Sequence, residues 1–383
     1  MANENAVVQA KGKCSWGYAD EVFETELGLP LAGHAMTGNY GNKRDGQCPL
    51  HMRTLILNPK EDNEIVICFM DLLTGSIALL DEVRRLMSPS HDRIALVGSH
   101  THYGPGSYFG NSFYDSFAQP PPKDSTALLG EVSKPMVEFL AGKIHLTIGR
   151  ARESAQVGRV AVIQSKYWKS GACNRSYGAF KANGSFFDKW NSSDSPAAFP
   201  PNDIDELQKA IDPRVTTILT VNEAKNHICA FSTAACHTTC MGIYKEEYSA
   251  DWPGIAVQTV AAAKPLGDEI MGQPIRYDSA FAVCAAGDVT PMSPNGVRAG
   301  GGEDQGQGHE LKVKIGENIG GHVAKTITEA FSEVMQDSDH PIEISFKTTD
   351  WNPSGPESEG GHNLGPPYPG YPLLAGTEDG WGK

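Results

Sequence analysis

No long apolar run occurs in this chain. Nothing in its 383 residues approaches the roughly eighteen consecutive apolar residues that a bilayer-spanning helix needs. Positive charge is scarce: 32 Lys and Arg against 46 Asp and Glu leave a formal balance of −14. With no basic run to neutralise phosphates, the sequence argues against a nucleic-acid partner and against simple electrostatic adhesion to anionic membranes. Eight cysteines are too few and too scattered for a disulfide scaffold at this length. Cys68, Cys229 and Cys284 lie inside apolar runs and read as small buried residues. Cys236 and Cys240 flank His237 but lack a second Cys pair, so they make a weak metal pattern. There is no Gly-x-Ser-x-Gly elbow and no phosphate-cradling glycine loop followed by Lys-Ser/Thr. The start, Met1 to Asn5, has neither a basic nor an apolar leader region. That leaves a cytoplasmic protein or one whose signal has been removed.

What is present is a series of short apolar strands alternating with helical patterns, an α/β signature of mixed β-sheets with helices packed outside. Strand-like runs cover 53–58, 64–71, 94–97, 160–163, 215–221, 227–237, 281–288 and 342–346, and helical periods cover about 76–87, 131–146, 252–263 and 309–335. Gly316, Gly320 and Gly321 weaken the last helix on its own and imply close packing on a neighbour. Residues 12–50, rich in Gly and Asn, read as an irregular binding loop. Phe109, Phe113, Tyr114 and Phe117 sit in a Gly/Ser/Pro-rich loop that could wall a cleft. The expected organisation is an α/β catalytic domain over 1–350 and a Gly/Pro-rich segment over 351–383 that returns to the cleft.

The organising stretch is Arg93-Ile-Ala-Leu-Val-Gly-Ser-His-Thr-His-Tyr-Gly-Pro-Gly106. Alternation along an extended chain turns His100 and His102 to one side, and the Gly-Pro-Gly stop leaves that end of the sheet open. Other strand-like runs also end in chemistry-capable residues: Asp71, His237 and Asp288. In open α/β sheets, sites form beyond the carboxyl ends of strands. Two or more histidines with carboxylates at such an end suit a zinc ion, and hydrolysis is its commonest chemistry. Asp71 and Asp288 are candidate further ligands.

Five motifs in order resemble the neutral/alkaline non-lysosomal ceramidase family. They are Gly33-His34 with Leu50-His-Met-Arg53; Gly98-Ser-His-Thr-His-Tyr-Gly-Pro-Gly106; Asn174-Arg-Ser-Tyr177; Cys236-His-Thr-Thr-Cys-Met241; and Gly287-Asp-Val-Thr-Pro291. A further match, Ala375-Gly-Thr-Glu-Asp-Gly380, lies in the tail. The resemblance implies a hydrolase that uses one zinc ion to cleave the amide of an N-acyl sphingosine or related linear amide, a reaction of sphingolipid metabolism. A family hydrolase of non-lipid amides and a non-catalytic binding homologue are the alternatives. By motif, His100 and His237 match the zinc ligands, His102 a histidine near the reacting water, and Arg175 an arginine of the substrate site. Gly33, His34, His51 and Arg53 fall in motifs that imply substrate binding. Thr290 stands where the family has Ser and keeps a hydroxyl. The family's remaining ligands, a Glu and a Tyr, follow the tail motif, beyond Lys383. A C-terminal chain of the same precursor is therefore an expected partner, with homo-oligomerisation also open. Family members are often secreted.

Overall fold

A computed structural model describes residues 6–33, 40–87, 91–110, 115, 132–175, 204–242, 245–291, 308–336 and 340–347. Its frame is one eight-stranded mixed sheet. The described strands of three or more residues are, in chain order, β1 (Val7–Val22), β2 (His51–Leu57), β3 (Ile65–Met70), β4 (Ile94–Gly98), β5 (Gln156–Lys166), β6 (Ala172–Asn174), β7 (Arg214–Asn222), β8 (His227–Ala234), β9 (Arg276–Val283) and β10 (Val289–Pro291). Eight of them run β9-β8-β7-β5-β1-β2-β3-β4 across the sheet, and β6 pairs separately with β10. Within this sheet β3–β4 and β8–β9 are parallel pairs, and the other neighbours run antiparallel. The helices are α1 (Ile77–Met87), α2 (Lys134–Glu153), α3 (Ile204–Lys209), α4 (Trp252–Ala263) and α5 (Gly308–Met335). None of the helices among the described residues is long and apolar enough to cross a membrane.

Side-chain alternation sorts every long strand into two faces. One face of the whole sheet contributes Trp16, Tyr18, Leu55, Phe69, Val160, Phe231, Ala280 and Ala282 to a single inner cluster. Because Phe69 and Phe231 touch at 5.1 Å between ring centroids, the two ends of the sheet must fold toward each other over that cluster. The edge strand β9 accordingly meets both β3 and β4. The other face is covered by helices. One half packs Met52, Ile56, Val66 and Met70 beneath α1 and α2; the other packs Leu219, Val221, Ile228 and Phe281 beneath α4 and α5. The mixed sheet with helices outside matches the expectation from sequence.

The central strand β1 overturns the expected irregular entry. Its inward residues Cys14, Trp16 and Tyr18 alternate as a strand should, but two glycines interrupt the pattern and disguise it. Gly17 has a packing reason: a Cβ there would come within 2.0 Å of the Ala151 carbonyl at the end of α2. The expected strand over 342–346 is also corrected. That segment is held to β1 by a bridge between Lys13 and Pro341 and by backbone bonds on either side of Lys13. No strand is assigned there, although Ile342, Ile344 and Phe346 still cover the inner cluster.

Helix ends follow local chemistry. Ser133 caps α2 by accepting from the Met136 amide, with Pro135 in the first turn. Asp251 caps α4 through the Trp252 amide at 2.6 Å. The glycines of α5 let α4 approach: a Cβ on Gly316 would meet Ile255 Cβ at 2.4 Å, and one on Gly320 would meet the Ala256 carbonyl at 2.7 Å. Gly321 faces open space. Residues 351–383 lie outside the described residues, as do Phe113, Tyr114 and Phe117.

Candidate metal centre

Past the carboxyl ends of β4 and β8, two loops bring three histidines together. His100, His102 and His237 each offer a ring nitrogen, and these atoms all lie within 4.8 Å of one another. The ring centroids of His100 and His237 are 4.5 Å apart. His102 lies 5.0 Å from His100 and 5.3 Å from His237 by the same measure.

Protonation follows from the acceptors. His100 Nδ1 sits 2.9 Å from the Leu73 carbonyl and His237 Nδ1 2.7 Å from the Ala286 carbonyl. A carbonyl oxygen can only accept, so both Nδ1 atoms carry the hydrogen. Each neutral ring is thereby left with a lone pair on Nε2, and those two Nε2 atoms face each other at 3.0 Å. Burial lowers the pKa of His100, with the Arg175 charge adding to the effect. For His237, burial, His100 and Arg175 together push it down to about 3. Two neutral imidazoles with converging lone pairs repel unless a cation sits between them. Zinc–nitrogen bonds of about 2.0–2.1 Å place two ligand nitrogens at close to this spacing. A ligating imidazole that donates its other N–H to a carbonyl is also the usual arrangement at metal sites. The donor set therefore fits a divalent cation.

His102 follows the same rule, with Nδ1 3.1 Å from the Gly33 carbonyl. Gly33 adopts φ +83, and a Cβ there would lie 2.7 Å from His102 Nδ1. Glycine is thus required both by the backbone and by the imidazole packed on it. His100 itself has φ 60, the left-handed region that non-glycine residues enter at a cost and often at functional positions.

The remaining candidates lie around this cluster in distinct settings. Arg175 donates from Nη2 to the Gly287 carbonyl at 2.6 Å, and its amide bonds the Asp288 carbonyl. Asp288 follows β9 by five residues and accepts from Asn174 Nδ2 at 2.8 Å. Thr290 is fully buried in β10, opposite Cys173 of β6. Asp71, just past β3, accepts from the His51 amide and from Arg53 Nη1. His51 Nδ1 pairs in turn with Asp20 at 2.6 Å, and Arg53 Nε lies 3.5 Å from Asp20. Neither Asp71 nor Asp288 belongs to the three-histidine group. His34 lies outside the described residues.

Several participants carry no sequence signal. The carbonyls of Leu73, Ala286 and Gly33 orient the imidazoles through backbone atoms that any residue supplies. Asp20 was hidden with the strand that bears it. A second donor group, His227, Cys229 and Asp278, lies on the inner sheet face. There Gln156 bonds His227 Nδ1, while Asp278 accepts from His227 Nε2 and pairs with Arg276. That group is a hydrogen-bonded charge network, with a guanidinium in place of a metal.

A mixed sheet flanked by helices thus carries three clustered histidines beyond its strand ends. The family model for the N-terminal part of neutral/alkaline non-lysosomal ceramidases matches residues 28–383, and the chain belongs to that family. The crystal structure of neutral ceramidase from Pseudomonas aeruginosa shares the fold. Its TM-score is 0.57 at 16% identity, over 82% of this chain and 45% of that one. A structure of ceramidase complexed with C2 gives the same TM-score and identity, over 83% and 44%. The chain thus spans less than half the length of either. No curated protein sequence matches it significantly.

Proposed function

We propose that the chain forms the metal-binding core of a ceramidase-like amidohydrolase, with His100 and His237 as ligands of one zinc ion. The observation that carries this is the pair of neutral Nε2 atoms facing each other at 3.0 Å, each imidazole locked by a carbonyl behind it. Family membership supports the same reading. Zinc, when bound, would supply Lewis-acid polarisation of an amide carbonyl.

The chain's own residues prepare the rest. Burial and the Arg175 charge keep both ligand imidazoles neutral, the state a metal requires. His102, held by Gly33, presents its second nitrogen beside the cluster, where it can take a proton from the attacking water and return it to the leaving amine. Arg175, fastened through Gly287, offers its fork of donors to a polar substrate group. Addition of water across the amide then releases a carboxylic acid and an amine. His51, Arg53, Asp71 and Asp288 serve the scaffold in this reading, because their polar groups are already engaged with one another, with Asp20 or with Asn174.

Family membership supports a linear N-acyl amide of the N-acyl sphingosine type as substrate. Turnover of short-chain N-acyl sphingosine should exceed that of simple N-acyl amines and N-acyl amino acids at equal concentration. Equal turnover of all three would refute the sphingoid-base reading while leaving the hydrolase intact.

A further inference from the structure

The strands that carry the two ligand loops are not neighbours. β4 is one edge of the sheet and β8 lies next to the other, so no ladder fixes their relative position. Closure of the sheet ends brings the two loops near each other, and direct bonds between the loops then fix the finer separation of His100 from His237. The residues immediately after the ligands, Thr101 and Thr238, meet in an isolated parallel bridge. Thr238 donates its hydroxyl to the Ser99 carbonyl at 2.6 Å, crossing from one loop to the residue just before His100. Thr101 donates to the Ser249 carbonyl at 2.6 Å, and Ser249 returns a backbone bond to Tyr103. The His102 amide completes the join on the Thr238 carbonyl at 3.4 Å. Thr101, Thr238 and Ser249 are fully buried, so water cannot replace these bonds when one is lost.

We infer that Thr238, with Thr101 in support, is a positioning residue that holds His100 and His237 at ligand spacing. The inference rests on the proposed metal site and extends it to residues that touch no metal. His100 needs such a clamp because its left-handed backbone is intrinsically disfavoured. The Ser99 carbonyl sits one residue before it, where the Thr238 hydroxyl can hold that conformation against relaxation.

The test uses purified chain and Zn2+ alone, titrated against a chromophoric chelator, with the visible spectrum of Co2+-loaded protein as a second readout. Thr238→Val keeps the shape and removes the donor, and should weaken Zn2+ binding about ten- to hundredfold and alter the Co2+ spectrum. Thr238→Ser restores the hydroxyl and should bind within about threefold of wild type, a margin well under 1 kcal/mol. Thr101→Val should shift affinity in the same direction and keeps the test available if Thr238→Val does not fold. Thr217→Val removes a buried bond to Ser232 inside the sheet. It should lower the melting temperature without changing Zn2+ affinity, which separates positioning from general stability. Wild-type affinity in both folded valine variants, or equal loss in Thr217→Val, overturns the inference and leaves the metal site standing. Absence of Zn2+ binding by wild type overturns the metal site as well.

Discussion

His102 rests on Gly33 so closely that the smallest side chain cannot be added. Gly33→Ala would strain a backbone at φ +83 and push the imidazole from its place. kcat should fall at least about tenfold, with zinc content unchanged because His100 and His237 are held elsewhere. Loss of zinc in this variant would mean that the three histidines act as one ligand set. A different role belongs to Arg53, which is buried and faces Asp71 and Asp20. Replacing it by Met leaves the buried Asp71 carboxylate without its cation, at a cost of roughly 3–5 kcal/mol. Urea denaturation should record that loss; a cost below about 1 kcal/mol would show that the network is solvated.

At the scale of elements, legibility tracked how much of a segment's reason was local. The helix over Trp252–Ala263 was readable residue for residue, because Asp251, Pro253 and an apolar period are all local signals. The glycines of α5 were read as a packing face, and Gly316 and Gly320 do meet α4. Gly320→Ala should cost about 1–3 kcal/mol by overpacking, whereas Gly321→Ala, facing open space, should be neutral or stabilising in a thermal melt. By contrast, β1 was hidden because its glycines answer to partners far along the chain, Gly12 to Ile342 and Gly17 to the Ala151 carbonyl at the end of α2. The histidine motifs were legible as motifs. Their tautomers were not, since those depend on backbone carbonyls from two other segments.

Glu64 ties the β2–β3 hairpin to the last turn of α2. Its carboxylate takes three contacts from Arg152 and one from the Lys60 amide. Burial opposes its ionisation, yet the Arg152 hydrogen bonds and the Lys60 amide outweigh that and hold its pKa below the usual range. A depressed carboxylate stabilises the fold above the unfolded-state value, about 4.3, and the contribution disappears as pH falls through the folded one. The melting temperature of Glu64→Gln should therefore lie below wild type at pH 7, and the gap should narrow as pH falls below about 4.3. A gap that persists unchanged at pH 3 would assign the effect to packing rather than charge.

The whole molecule is built so that its two sheet ends close over one inner cluster while helices seal both outer faces. That closure lets loops from distant strands, β4 and β8, place His100 and His237 nitrogen to nitrogen. The most direct measurement is zinc content per chain by mass spectrometry after equilibration with limiting Zn2+ and removal of free metal. Wild type should hold one zinc per chain, and His100→Ala and His237→Ala none, each with the circular-dichroism spectrum of wild type. A stoichiometric zinc in either folded variant, or none in wild type, would contradict the proposed metal site.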